Sequence, residues 1–73
     1  MQSDIRDNLK SVIGDKGYIQ AAVAHKADIS PSKFSQILNK TRKLEANELF
    51  AICEAIEMSP MELRNYQNIP LVK

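Results

Sequence analysis

Residues 29–43, ISPSKFSQILNKTRK, begin with the signals of a helix start and end in a cluster of positive charge. Ser30 is a favourable N-cap, because its side-chain oxygen can accept a hydrogen bond from the first turn. Pro31 follows at the first helical position, where its missing N–H costs no hydrogen bond. The stretch therefore predicts a helix over residues 30–39 that is followed by a basic loop.

The same signals recur near the C-terminal end, where Ser59 and Pro60 mark another helix start. There Glu62 also completes a capping box with Ser59. Each start is flanked by a pair of apolar residues that can form a hydrophobic staple: Ile29 with Phe34, and Met58 with Leu63. Between the two starts, apolar residues at three- and four-residue steps predict a helix over residues 45–56: Leu49, Ile52, Cys53 and Ile56.

Two further helices are predicted before residue 29. The first runs from about residue 4 to 15, with Ile5, Leu9, Val12 and Ile13 on one face, and Gly14 and Gly17 are expected to end it. The second, over residues 19–27, is rich in alanine and places Ile19, Val23 and Ala27 on one face. The sequence thus predicts a compact all-α domain of five helices over residues 1–66, with a short extended tail over residues 67–73.

One apolar core is predicted for this bundle, because the apolar face of each helix must be covered by its neighbours. The residues expected in that core are Ile5, Leu9, Val12, Val23, Phe34, Ile37, Leu49, Ile52, Cys53, Ile56 and Leu63.

Composition limits the environment and the chemistry of the chain. Its 73 residues include a single cysteine, Cys53, which cannot form an internal disulfide and fits a reducing compartment. No apolar run approaches the roughly 20 residues of a membrane span, and no signal peptide is evident. We therefore expect a cytosolic protein with no membrane partner. His25 and Cys53 make a poor catalytic pair, and no metal-ligand cluster or phosphate-binding loop is present, so we expect no enzyme and no cofactor.

The net charge is only +1, but the charges are unevenly distributed. The stretch between Asp28 and Glu45 contains bases and no acid: Lys33, Lys40, Arg42 and Lys43. The stretch from Glu45 to Leu63 contains acids and no base: Glu45, Glu48, Glu54, Glu57 and Glu62. The basic middle is typical of a nucleic-acid contact, whereas the acidic part is typical of a solvated face or of a surface that meets a basic partner.

Residues 18–43 have the layout of a helix-turn-helix, since two short helices are joined by the tight connection Ala27-Asp28-Ile29. Over about residues 4–66 the chain resembles the Cro/C1-type (XRE) helix-turn-helix domains of phage repressors and bacterial regulators. The residues that support the resemblance are Gln20, Val23-Ala24, Ile29-Ser30, Phe34, Ile37, Asn39, Glu48-Leu49 and Met58-Ser59-Pro60. Where the family usually has glycine after the second, third and fourth helices, this chain has Asp28, Lys40 and Glu57.

The resemblance implies a set of binding residues. Its base-reading positions fall on Pro31, Ser32 and Gln36, with Lys33 and Ser35 nearby, and Gln36 is suited to a bidentate contact with adenine. Its phosphate-contacting positions fall on Gln20, Asn39, Arg42 and Lys43, and Lys40 belongs to the same basic cluster. Without the resemblance, these residues are equally typical of a solvent-exposed helix face and loop. Because proline offers no side-chain donor or acceptor, direct readout would rest on Ser32 and Gln36.

For a chain of this compact length, the resemblance implies two functions, and both belong to a small regulator of a phage-type genetic switch in the cytosol of a bacterial host. One is a Cro-like repressor that binds double-stranded operator DNA, and a homodimer of the chain fits this function. The other is an antirepressor, similar to the modulator-of-repression type, that binds a phage repressor and blocks its operator binding. Near-neutral charge, Pro31 and the acidic part of the chain favour the antirepressor. The local basic cluster and the polar residues Gln20, Gln36 and Asn39 favour the repressor. Together with the family resemblance, these features slightly favour the antirepressor.

Overall fold

The computed structural model describes residues 4–66, and within that range the chain forms five helices and no strand. The helices are α1 (Ile5–Lys16), α2 (Gln20–Lys26), α3 (Pro31–Leu38), α4 (Ala46–Ala55) and α5 (Pro60–Arg64). The all-α, five-helix fold predicted from the sequence is thus confirmed. The predicted extended tail over residues 67–73 lies outside the described residues.

The helix starts are capped largely as the sequence predicts. The Ser30 hydroxyl accepts a hydrogen bond from the Lys33 backbone N–H at 3.2 Å. At α5, the Ser59 hydroxyl accepts from the Glu62 N–H at 3.0 Å and the Glu62 carboxylate accepts from the Ser59 N–H at 2.8 Å, which completes the predicted capping box. A second capping box, formed by residues 45 and 48 at the start of α4, was not predicted.

Four helices end in the same left-handed turn. Gly17, Asp28, Lys40 and Glu57 have φ values of 70°, 59°, 64° and 56°. At each of them two backbone N–H groups bond back to carbonyls of the preceding helix, as at Glu57, whose N–H reaches the Glu54 carbonyl while the next N–H reaches the Cys53 carbonyl. This is the Schellman pattern, which normally favours glycine. The chain tolerates three other residues there because the hydrogen bonds hold the turn.

The core gathers the apolar faces of all five helices. Six large side chains are almost completely buried: Leu9, Val12, Phe34, Ile37, Ile52 and Leu63. Ile5 and Leu49, predicted as core residues, are only partly buried and pack on its edge. Ala24 is completely buried although the core prediction omitted it, because its small side chain allows α2 to approach its neighbours closely.

Two local predictions were wrong. Ile19 is the N-cap of α2 rather than part of its apolar face, and it is 71% exposed. Gly14 does not end α1, which continues to Lys16 and ends in the left-handed Gly17. The helix continues because glycine is costly but permitted inside a helix, whereas only a change of backbone conformation, as at Gly17, ends it.

Each helix packs against at least two others, and α3 packs against α1 and α2. α2 packs on α3 and α4, α1 packs on α3 and α5, and α4 packs on α5. α2 and α3, with the turn at Asp28 between them, form the predicted helix-turn-helix. Within residues 4–66, no helix has the length and apolarity needed to cross a membrane.

Candidate nucleic-acid interface

The outer face of α3 carries polar residues that no other helix covers. Phe34, Ile37 and Leu38 point into the core, and this orientation leaves Ser32 and Gln36 on the opposite side of the helix. Ser32 and Gln36 are four residues apart, so their side chains are neighbours on one ridge, and both are exposed. Pro31 is exposed beside them at the first helical position. The arrangement offers a short polar ridge to a groove or to a partner.

Gln36 is held by the loop that follows α3. Arg42 Nε donates a hydrogen bond to Gln36 Oε1 at 3.1 Å, and the Thr41 hydroxyl donates to the Gln36 backbone carbonyl at 3.2 Å. The Arg42 carbonyl in turn accepts from Arg6 Nη1 at 3.0 Å, which ties the loop to the start of α1. A carboxamide oxygen has two lone pairs, so Gln36 keeps one acceptor site and both N–H donors for a base edge. The contact with Arg42 therefore orients Gln36 without using up its hydrogen-bonding capacity.

Lys33 faces α4 rather than the outer ridge. Its ammonium group forms an ion pair with the Glu48 carboxylate, and its side chain is partly covered. The hydrogen bond from Lys33 is the main reason why the pKa of Glu48 is lowered from its ordinary value. Ser35 is also half-buried. These two residues, expected near the base-reading positions, therefore lie at the margin of the ridge.

The basic loop contributes fewer unpaired charges than its sequence suggests. Lys40 Nζ lies 3.2 Å from an Asp7 carboxylate oxygen, in an exposed ion pair with α1. Arg42 and Lys43 are exposed, and within residues 4–66 neither forms an ion pair. Within residues 4–66, Arg42 and Lys43 are therefore the bases of this loop that no carboxylate pairs with.

Gln20 and Asn39 both lie at helix ends. Gln20 is the first residue of α2 and is exposed, while Asn39 is the C-cap of α3 and is also exposed. Their side chains lie on two helices that pack together, so the structure is compatible with both contacting one ligand. The structure thus places eight of the ten predicted binding residues on exposed positions; Lys33 and Ser35 are the exceptions.

Sequence reasoning missed three residues with functional interest. Arg6 reaches the basic loop from α1, across 36 residues of sequence, which no local pattern signals. Phe50 and Met61 are large apolar residues that are 56% and 58% exposed. The sequence could have predicted the exposure of Phe50, because this residue falls outside the apolar face of its helix.

Cysteine chemistry finds no support in the structure. Cys53 is 4% exposed and packs in the core, and its burial raises the pKa of the thiol. A buried thiol with a raised pKa is a poor nucleophile, since the thiolate is the reactive form. His25 lies on the exposed side of α2. Neither feature is typical of a catalytic cysteine–histidine pair.

The Cro/C1-type HTH DNA-binding domain family matches residues 8–68 of the chain. The chain belongs to this family. The clp gene regulator ClgR from C. glutamicum has a similar crystal structure, with a TM-score of 0.76 over 81% of this chain and 77% of that chain, at 22% sequence identity. Among curated proteins no significant match was found. At this level of identity the likeness to ClgR shows a shared fold.

Membership of the Cro/C1-type family confirms the resemblance seen in the sequence. It identifies the chain as a helix-turn-helix DNA-binding domain of the kind found in transcription regulators. In this Cro/C1-type domain, Ser32 and Gln36 lie on α3, the second helix of the helix-turn-helix. Arg42 and Lys43 lie in the loop that follows α3.

Proposed function

We propose that the chain is an operator-binding transcription regulator that places α3 in the major groove of DNA. The observation that carries the proposal is the exposed carboxamide of Gln36, which Arg42 orients from the following loop. A glutamine presented in this way can donate to N7 and accept from N6 of an adenine. Ser32, one turn earlier on the same ridge, supplies a second polar group for a base edge.

Four further residues are proposed to contact the phosphates. Arg42 and Lys43 supply positive charge at the end of the ridge, and Gln20 and Asn39 supply uncharged donors at the ends of α2 and α3. Such contacts fix the position of the protein on the duplex without reading its sequence. Two copies of the domain on half-sites about one helical turn apart would double this set of contacts. Operator binding requires the protein to work in the bacterial cytosol, where its DNA lies.

The positions of three acidic residues support operator binding over the partner-binding function. Glu54, Glu57 and Glu62 belong to α4, its C-terminal turn and α5, none of which is part of the helix-turn-helix. Glu48 does approach α3, but Lys33 neutralises it. The negative charge that argues against DNA in the sequence is therefore not concentrated on the ridge of Ser32 and Gln36.

A gel-shift experiment with DNA from the protein's own promoter region tests the proposal. The wild-type protein should shift this DNA at a concentration that leaves unrelated DNA free. The same experiment with the cognate repressor present shows whether the protein instead releases that repressor from its operator. If it released the repressor at micromolar concentration and bound no DNA itself, operator binding would be the wrong function.

One observation favours a second function, that of an antirepressor. Pro31 places an exposed ring without hydrogen-bonding groups at the first position of α3, which suits a protein contact better than a base edge. In this function the helix from Ser30 to Asn39 lies at or near the interface with a phage repressor. Substituting Ser32 or Gln36 by glutamate should then weaken the complex with the repressor while leaving the helical circular dichroism unchanged, because both side chains are exposed.

A further inference from the structure

Arg6, at the start of α1, is held in one orientation by hydrogen bonds from three nitrogens of its guanidinium group. Nε and Nη2 donate to the two carboxylate oxygens of Asp4 at 3.0 and 2.6 Å. Asp4 is itself fixed to α1, because its carboxylate caps the helix by accepting the Arg6 backbone N–H at 2.9 Å. The third nitrogen, Nη1, donates to the Arg42 carbonyl at 3.0 Å. The planar guanidinium therefore holds that carbonyl at a fixed place relative to α1.

The series of hydrogen bonds continues from Arg42 to Gln36. Fixing the Arg42 carbonyl also fixes the origin of the Arg42 side chain, whose Nε donates to Gln36 Oε1 at 3.1 Å. A second contact joins α1 to this loop, the ion pair of Lys40 with Asp7, but both of its side chains are exposed, and such pairs stabilise little. The Arg6 side chain is only 23% exposed. Arg6 thus provides the more sheltered of these two links.

We infer that Arg6 is a positioning residue for base readout, which holds the loop so that Arg42 orients Gln36. A long exposed side chain such as that of Gln36 has several rotamers, and ordering it before DNA arrives lowers the entropic cost of binding. The role of Gln36 is that of the proposed function, on which this inference rests; the new element is α1, which lies outside the helix-turn-helix. Positioning should strengthen binding to operator DNA and not to random DNA, because only the operator uses the base contact.

Arg6→Lys separates positioning from charge. Lysine keeps the positive charge but has no planar fork, so it cannot bind the Asp4 carboxylate at two points and the Arg42 carbonyl at the same time. In a fluorescence-anisotropy titration, Arg6→Lys should bind operator DNA about fivefold more weakly than the wild type, which corresponds to the loss of one hydrogen bond. Its affinity for random DNA should not change. Arg64→Lys makes the same chemical change at an exposed position of α5 and should alter neither affinity. Circular dichroism verifies that both variants fold.

The DNA-free protein provides an independent test through NMR relaxation of the Gln36 side-chain amide nitrogen. In the wild type this amide should give a higher heteronuclear NOE than the amide of the exposed Gln20, because Arg42 restrains it. In Arg6→Lys the Gln36 value should fall to the Gln20 value, because the loop no longer holds Arg42 in place. Arg64→Lys should leave the Gln36 value unchanged.

Two results would overturn the inference. One is a Gln36 amide that is as ordered in Arg6→Lys as in the wild type. The other is an equal loss of affinity for operator and random DNA, which would mean that Arg6 contacts phosphates or supports the fold in general. Failure of the proposed function gives a different result, since the wild type would then bind operator and random DNA alike. In that case the amide relaxation alone decides whether Arg6 positions Gln36.

Discussion

Asp4 and Arg6 form the tightest charged contact at the start of α1. Asp4 accepts the Arg6 backbone N–H at 2.9 Å and binds the Arg6 guanidinium at 2.6 and 3.0 Å. The side-chain hydrogen bond from Arg6 is the main cause that lowers the pKa of Asp4 from 3.8 to about 2.

Since the folded-state pKa of Asp4 lies below the ordinary one, the contact stabilises the fold fully above pH 3.8, and this stabilisation is lost as the pH falls towards 2. Asp4→Asn keeps a capping oxygen but loses the charge, so its free energy of unfolding should vary less steeply over this range in urea titrations. An unchanged slope would contradict this role of Asp4.

Phe34 is the largest side chain in the core, with no exposed surface. Truncating a buried phenylalanine to alanine costs about 3 to 5 kcal/mol, which is comparable to the net stability of a domain of this size. Phe34→Ala should therefore be largely unfolded, as measured by thermal circular dichroism. Phe50→Ala is the matched control: its side chain is 56% exposed, and its unfolding curve should stay close to that of the wild type. A cooperative transition in Phe34→Ala at the wild-type temperature would remove Phe34 from the core.

The left-handed turn that ends α4 contains a residue with a strained backbone conformation. Glu57 has a φ of 56°, which costs a residue with a Cβ about 1 kcal/mol relative to glycine. Glu57→Gly should therefore raise the free energy of unfolding by about that amount in urea denaturation. Glu54→Gly makes the same chemical change inside α4, where glycine costs about 1 kcal/mol, so it should be destabilising. If both substitutions destabilised the protein equally, the left-handed turn would not be a strained position.

The loop between α3 and α4 carries two bases that are proposed to contact phosphates, Arg42 and Lys43. Arg42→Ala and Lys43→Ala should weaken binding to all DNA sequences alike, because phosphate contacts release counterions without reading bases. Each substitution should flatten the dependence of log affinity on log salt by about one unit. Arg64→Ala is a suitable control, since Arg64 lies on α5, which packs on α1 and α4 and is not part of the helix-turn-helix. A salt slope that stays unchanged in both loop variants would mean that this loop does not contact phosphates.

At the scale of the whole molecule, local signals predicted the fold better than they predicted the candidate site. The caps at Ser30 and Ser59 and the apolar spacing of α4 depend on residues within a few positions, so the helices could be derived from the sequence. The ion pairs Lys33–Glu48 and Lys40–Asp7 join residues of different helices, and no local pattern reveals them. Because these ion pairs involve Lys33 and Lys40, Arg42 and Lys43 are the bases of the basic middle that have no carboxylate partner within residues 4–66. For the same reason the sequence predicted a larger basic cluster than the structure presents.

The proposed function requires that the ridge of Ser32 and Gln36 on α3 reads DNA bases. The most direct measurement is a fluorescence-anisotropy titration of the promoter-region operator and of random DNA with the wild-type protein, Gln36→Ala and Gln20→Ala. Gln36→Ala should cost about 1 to 3 kcal/mol on the operator and little on random DNA, because it removes a base contact. Gln20→Ala, the matched control, should weaken both alike, because it removes a phosphate contact. If Gln36→Ala lost as much affinity for random DNA as for the operator, Gln36 would not read bases.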